Sequence, residues 1–200
     1  MMRQLFFLAL ILFAFTVPAH AANVSLADIE NYLNGLQTLR ARIIQHSSDG
    51  SEALGLLELQ RPNRLRLTYD PPLQILLVAD GKDLIYYDKK LEQVTYAPIS
   101  RVPAAAILSD NLRLGEKTIV DDLRETETEV YLTVHAKDDP GSGKLRLEFS
   151  KNPLELRRWI VIDAQGIQTT VVLQNPDWRA SFNPKNFIFY DPRPLDRNRM

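Results

Sequence analysis

Short runs of alternating apolar and polar residues, divided by tight turns, constrain this chain more than any other feature. Leu65, Leu67 and Tyr69 alternate with Arg64, Arg66 and Thr68. That is the pattern of a strand with one buried and one wet face. Just before it, Leu57 and Leu59 alternate with Glu58 and Gln60, and Pro62-Asn63 divides the two runs. Leu39, Ala41 and Ile43 share a face in the same way. Further strands are expected over residues 74–79, 83–88, 91–96, 117–125, 129–136, 144–150, 154–163 and 167–174. Asp49-Gly50, Asp80-Gly81, Pro140-Gly141-Ser142-Gly143 and Gln165-Gly166 supply turns. About ten or eleven strands joined so closely must pair antiparallel.

Helical signals are few. Ser25 and Asp28 form an S-x-x-D cap, and Leu26, Ile29, Leu33 and Leu36 recur at helical spacing, with Gly35 in the last turn. Pro103-Ala104-Ala105-Ala106-Ile107-Leu108 predicts a short apolar helix with proline in its first turn. The segment 182–190 is expected to close the domain with Phe187 and Phe189 on one face. Two short helices cannot cover a flat sheet of ten strands. A strongly curved antiparallel sheet, its mouth plugged by the helices, satisfies the pattern, and its concave side would be apolar. If the plug does not fill that side, a cavity for an apolar ligand results.

The first residues have a different character. One arginine, Arg3, precedes an apolar run from Leu5 to Val17, and Ala19-His20-Ala21 follows Pro18. This describes a secretory signal peptide over residues 1–21, cleaved after Ala21. The mature chain, 22–200, is then expected to be one soluble, extracytoplasmic domain. The whole chain carries 24 Lys+Arg against 25 Asp+Glu, which argues against a nucleic-acid binder. Zero cysteine excludes disulfides, thiolate metal sites, a cysteine nucleophile and a lipid-modified N-terminal cysteine. His46 and His135 fall on different strands without ligand spacing, so no metal is expected. Gly141-Ser142-Gly143 is a turn without a nucleophile-elbow setting, and Gly81-Lys82 lacks the upstream glycine of a phosphate loop. No catalytic constellation converges, and no cofactor or enzymatic activity is expected.

Residues 57–96 carry Arg61-Pro62, Leu65-Arg66-Leu67, Pro72, Val78-Ala79-Asp80-Gly81-Lys82, Tyr86-Tyr87-Asp88 and Leu91-Glu92-Gln93-Val94-Thr95. In combination these resemble the outer-membrane lipoprotein carrier protein (LolA) family, and the hairpin around Gln165-Gly166 fits the same pattern more loosely. The resemblance implies an unclosed antiparallel barrel with a helical lid over an apolar cavity. It implies a monomeric periplasmic chaperone. Such a chaperone takes acylated lipoproteins from an inner-membrane ABC transporter to an outer-membrane lipoprotein acceptor, without covalent chemistry. Arg61 matches the arginine that latches the lid to the sheet. Leu57, Leu59, Leu65 and Leu67 match inward-facing positions and are candidates for the acyl-chain cavity. Pro103, Ala104, Ile107 and Leu108 belong to the lid candidate. Arg66 and Thr68 are expected to face solvent.

Blander readings remain beside these. Arg61 could be a strand-end arginine paired with a surface carboxylate, and Leu65 and Leu67 could be ordinary core, because a lumen and a core give the same alternation. Leucine at the last two positions, where the family often has aromatics, keeps a second function in view: a periplasmic carrier of another lipid or glycolipid for a different transporter. A sensor or regulator built on a related sheet is the third reading, and it would call for a second domain.

Overall fold

The alternating runs become eleven strands in one sheet, and a capped helix precedes them. The computed structural model describes residues 23–102 and 105–193. The expected signal peptide and the lid residues Pro103 and Ala104 lie outside the described residues. Helix α1 spans Leu26–Gly35. Its capping box is complete: the Asp28 amide donates to Ser25 Oγ at 3.2 Å, and the Ser25 amide donates to Asp28 Oδ2 at 2.9 Å. The helix buries Ile29 and Leu33 against the sheet. Tyr32 stands edge-on to Phe149 and Trp178 and accepts a hydrogen bond from the Leu156 amide at 2.9 Å.

The chain then runs outward through β1 (Thr38–Ser47), β2 (Glu52–Gln60), β3 (Arg64–Tyr69), β4 (Ile75–Asp80), β5 (Asp83–Asp88) and β6 (Gln93–Pro98). After α2 (Ala105–Leu108) it returns through β7 (Thr118–Glu125), β8 (Glu129–Ala136), β9 (Gly143–Ser150), β10 (Glu155–Asp163) and β11 (Gln168–Asp177). The order across the sheet is β6-β5-β4-β3-β2-β1-β11-β10-β9-β8-β7, and all neighbours are antiparallel. The sheet is not closed: β6 and β7 are its two edges. The segment between them, residues 99–117, therefore has to pass from one edge to the other. Register shifts in β1 at Arg40/Arg42, in β7 at Val120/Asp122 and in β10 at Leu156/Arg158 bend the strands inward. The fold class is thus the expected one, α+β with an unclosed, curved antiparallel sheet.

The end of the chain departs from expectation. Residues 182–190 do not add a strand; Pro184–Phe187 form a 3₁₀ turn that lies against β3 and β4 on the outer, convex face. Phe187 is 2% exposed and meets Phe182 edge-on at 5.5 Å, while Phe189 meets Tyr87 at 5.6 Å. Arg40 stacks over Phe182 at 4.9 Å. Beneath this strap, Leu76, Val78 and Ile85 form a second apolar layer outside the main core. Arg66 and Thr68 consequently do not face open solvent. Both are half-buried, and Arg66 Nη1 donates to the Asn186 carbonyl at 3.1 Å. The signal for this was present in β4, where residues 75–79 are apolar without interruption, as in a strand covered on both faces. Phe187→Ala is expected to lower stability by about 3 kcal/mol in urea unfolding, the usual cost of emptying a buried aromatic site.

Candidate functional site

Because side chains alternate across a strand, one set of residues from β1–β5 and from β10–β11 points to the concave side. They line a partly open cavity of about 270 Å³. Leu57 and Leu59 of β2, and Leu65 and Leu67 of β3, all line it. Leu77, Leu84, Val161, Val171 and Trp159 continue the wall, and Ile99, Val102, Ile107 and Leu108 from the edge-to-edge segment cover it. Residues from strands as distant as β5 and β10 share one cavity, which is what the bending of the sheet accomplishes. Leu57, Leu59 and Leu67 are buried and Leu65 is half-buried. Ile107 and Leu108 of α2 are also buried and line the cavity.

Arg61 lies just beyond β2 and is only 7% exposed. Its guanidinium joins three parts of the chain. Nε donates to the Ser109 carbonyl at 2.8 Å, and Nη2 donates to the same carbonyl. Nη1 donates to the carbonyl of Leu33 and, at 3.4 Å, to that of Leu36, at the end of α1. Nη2 also reaches the Asn34 side-chain oxygen at 3.4 Å. A helix end leaves carbonyls unsatisfied and carries partial negative charge. Helix α1 has no basic residue in its last turn, so Arg61 supplies that cation from the sheet. No acceptor in this set is a carboxylate. Burial pushes the guanidinium down from its ordinary value, with exposed Asp110 opposing the shift.

Two contacts strengthen the link between α1 and the segment after α2. Asn34 Nδ2 donates to the Leu112 carbonyl at 2.9 Å, and the Leu112 amide donates to Asn34 Oδ1 at 2.8 Å. The Leu114 amide donates to Glu30. The amide of Asn63 donates to the Leu108 carbonyl at 2.8 Å, which fixes the last residue of α2 to the β2–β3 turn. Sequence reasoning singled out Arg61 and the four leucines but missed Asn34, Ser109 and Trp159 as parts of this arrangement. Backbone carbonyls carry no side-chain signature, so Ser109 had no signal. Asn34, beside Gly35 at a helix end, did have one. Among the described residues no cluster of three or more His, Asp or Glu could hold a metal.

The geometry is that of a leucine-lined cavity covered by a short segment hydrogen-bonded to the sheet and to α1. The chain belongs to the LolA family: residues 34–190 match the family described as outer membrane lipoprotein carrier protein LolA. It is 28% identical over 205 residues to an outer-membrane lipoprotein carrier protein of Nitrosomonas europaea, with 98% of each chain covered. It is 29% identical over 193 residues to one of Pseudomonas syringae pv. syringae, with 90% of each covered. Its fold is similar to that of a DUF1329 family protein from Desulfovibrio piger, with a TM-score of 0.51 at 9% identity over 81% of this chain and 94% of that one.

A charge placed in the cavity tests its apolar character. Leu65→Glu is expected to weaken binding of a fluorescent fatty-acyl probe at least tenfold at neutral pH. Burial raises a carboxyl pKa, so the variant should regain affinity as pH falls through that raised value and the charge is neutralised. Titrations at two pH values check both parts.

Proposed function

We propose that this chain is a periplasmic carrier that buries the acyl chains of lipoproteins in the cavity beneath α2. It takes its cargo from an inner-membrane ABC transporter and delivers it to an outer-membrane acceptor. In this reading it works as a single-domain monomer after loss of residues 1–21, and it performs no covalent chemistry. The observation that carries the reading is the leucine-lined cavity under a lid held by Arg61, in a chain whose relatives are named lipoprotein carriers.

The physical task is large. Exposed acyl chains cost about 0.8 kcal/mol for each CH₂. A cavity of about 150 Å³ already accommodates benzene, so the 270 Å³ present here takes at most part of one chain. Cargo with several chains must displace the lid. Opening separates the Ser109 carbonyl from Arg61 and leaves a partly desolvated cation short of acceptors. Each hydrogen bond to a charged group contributes about 1.5–3 kcal/mol. That restoring force favours closure of the empty carrier and drives cargo off when an acceptor offers a better site.

Incubation of the purified protein with spheroplasts carrying radiolabelled lipoproteins should release them into the soluble fraction. If none is released, the proposal fails. Free lipid, in place of triacylated peptide, in the protein recovered from periplasm would point to a carrier of another lipid. Arg61→Leu removes the restoring force. The variant should still load cargo, but its transfer to the acceptor should fall about tenfold or more. Normal transfer would remove Arg61 from the mechanism.

A further inference from the structure

The cavity lining is apolar except at the end remote from Arg61, where Gln45, Tyr69 and Thr169 join it. Register fixes their place. Arg61 follows Gln60, which pairs with Thr38 at the start of β1. Gln45 pairs with Ala53 near the other end of that ladder, Tyr69 pairs with Gly55, and Thr169 pairs with Ser47.

Gln45 and Tyr69 sit on strands that are not neighbours, since β2 lies between them. Even so, the Tyr69 hydroxyl donates to Gln45 Oε1. Between them β2 carries small residues: Gly55 faces Tyr69 on one side and Ile43 on the other, and Ala53 faces Gln45. A Cβ at Gly55 would approach Leu67 Cδ1 to 3.1 Å and the Thr68 carbonyl oxygen to 2.9 Å. Leu67 and Ile43 therefore pack directly against the glycine, and β2 carries no side chain at that position. Burial pushes the Tyr69 phenol up to about 12, with Tyr86 adding to the rise. The hydroxyl thus remains a donor at neutral pH and holds the Gln45 amide by its oxygen. Among the described residues, neither Gln45 Nε2 nor Thr169 Oγ1 has a hydrogen-bond partner.

We infer that Gln45, held by Tyr69 across Gly55, forms with Thr169 a polar subsite for the carbonyl at the head of an acyl chain. The inference rests on the acyl-carrier reading and specifies which group of the cargo is recognised. Hydrocarbon can be buried anywhere along the leucine wall, but an ester or amide oxygen buried without a donor is costly. Gln45 Nε2 offers two N–H groups and Thr169 one O–H. Donors at one end only would set how far a chain enters. Esters and amides of this kind occur both in free diacylglycerolipids and in acylated protein N-termini.

Binding of diacylglycerol and of its dialkyl ether analogue, with chains of equal length, tests this on the full mature chain. A diacylated lipopeptide and its ether analogue form the second arm. The wild type should prefer the ester over the ether about fivefold, the effect of roughly one hydrogen bond. In Gln45→Leu that ratio should fall to near one. Tyr69→Phe and Thr169→Val should lower it in part, and they supply the same ratio if Gln45→Leu does not fold. A preference in one arm supports the subsite and names the source of its ligand. Ratios near one for the wild type in both arms, or ratios that survive all three substitutions, overturn the inference. Failure of the wild type to bind any of the four ligands would instead sink the carrier reading.

Discussion

Strand β1 is hydrogen-bonded to β2 on one side and to β11 on the other, and the remaining architecture depends on that pairing. It joins two antiparallel meanders at their inner strands and sends β6 and β7 to opposite edges. The edges cannot be joined by a hairpin. The segment between them must cross the open side of the sheet, and it carries the apolar residues Ile99, Val102, Ile107 and Leu108 over the cavity. The lid is a consequence of topology before it is a matter of helix formation. A helix as short as Ala105–Leu108 has little stability of its own.

Arg61 ties that crossing segment to the end of α1. A guanidinium has fixed, forked donors and stays charged, so it can serve several carbonyls at once where lysine would act as a point charge. Here it serves the end of α1 and the residue just past α2 together. Apolar contact alone would make the lid a part of the core. In the proposed carrier, this polar fastening defines the closed position of the lid, because the cation would lose partners on opening.

The strands were legible because a half-buried antiparallel sheet writes itself as alternation, and the boundaries of 83–88 and 129–136 agree with β5 and β8. Leu57, Leu59, Leu65 and Leu67 could be assigned to one side for the same reason. Phe187 and Phe189 share a face as expected, but they pack over the convex side of β3–β5, Phe187 beneath the turn and Phe189 on Tyr87, without adding a strand. The solvent-facing assignment of Arg66 failed because the unbroken apolar run of β4 shows that this face is covered, but nothing in the chain shows that Asn186 supplies the cover. The Tyr69–Gln45 bridge was equally hidden, for it joins residues separated by a whole strand.

By itself, the sequence determined which segments are strands, which side of each is apolar, and that two short helices could not cover such a sheet unless it curved. These are local properties, set by side-chain period and turn chemistry. Only the tertiary structure decided that the apolar side lines a cavity, that carbonyls at two helix ends are the partners of Arg61, and that Tyr69 bonds Gln45 across β2. Those outcomes depend on strand order and on backbone groups from distant parts of the chain, neither of which leaves a periodic trace in the sequence.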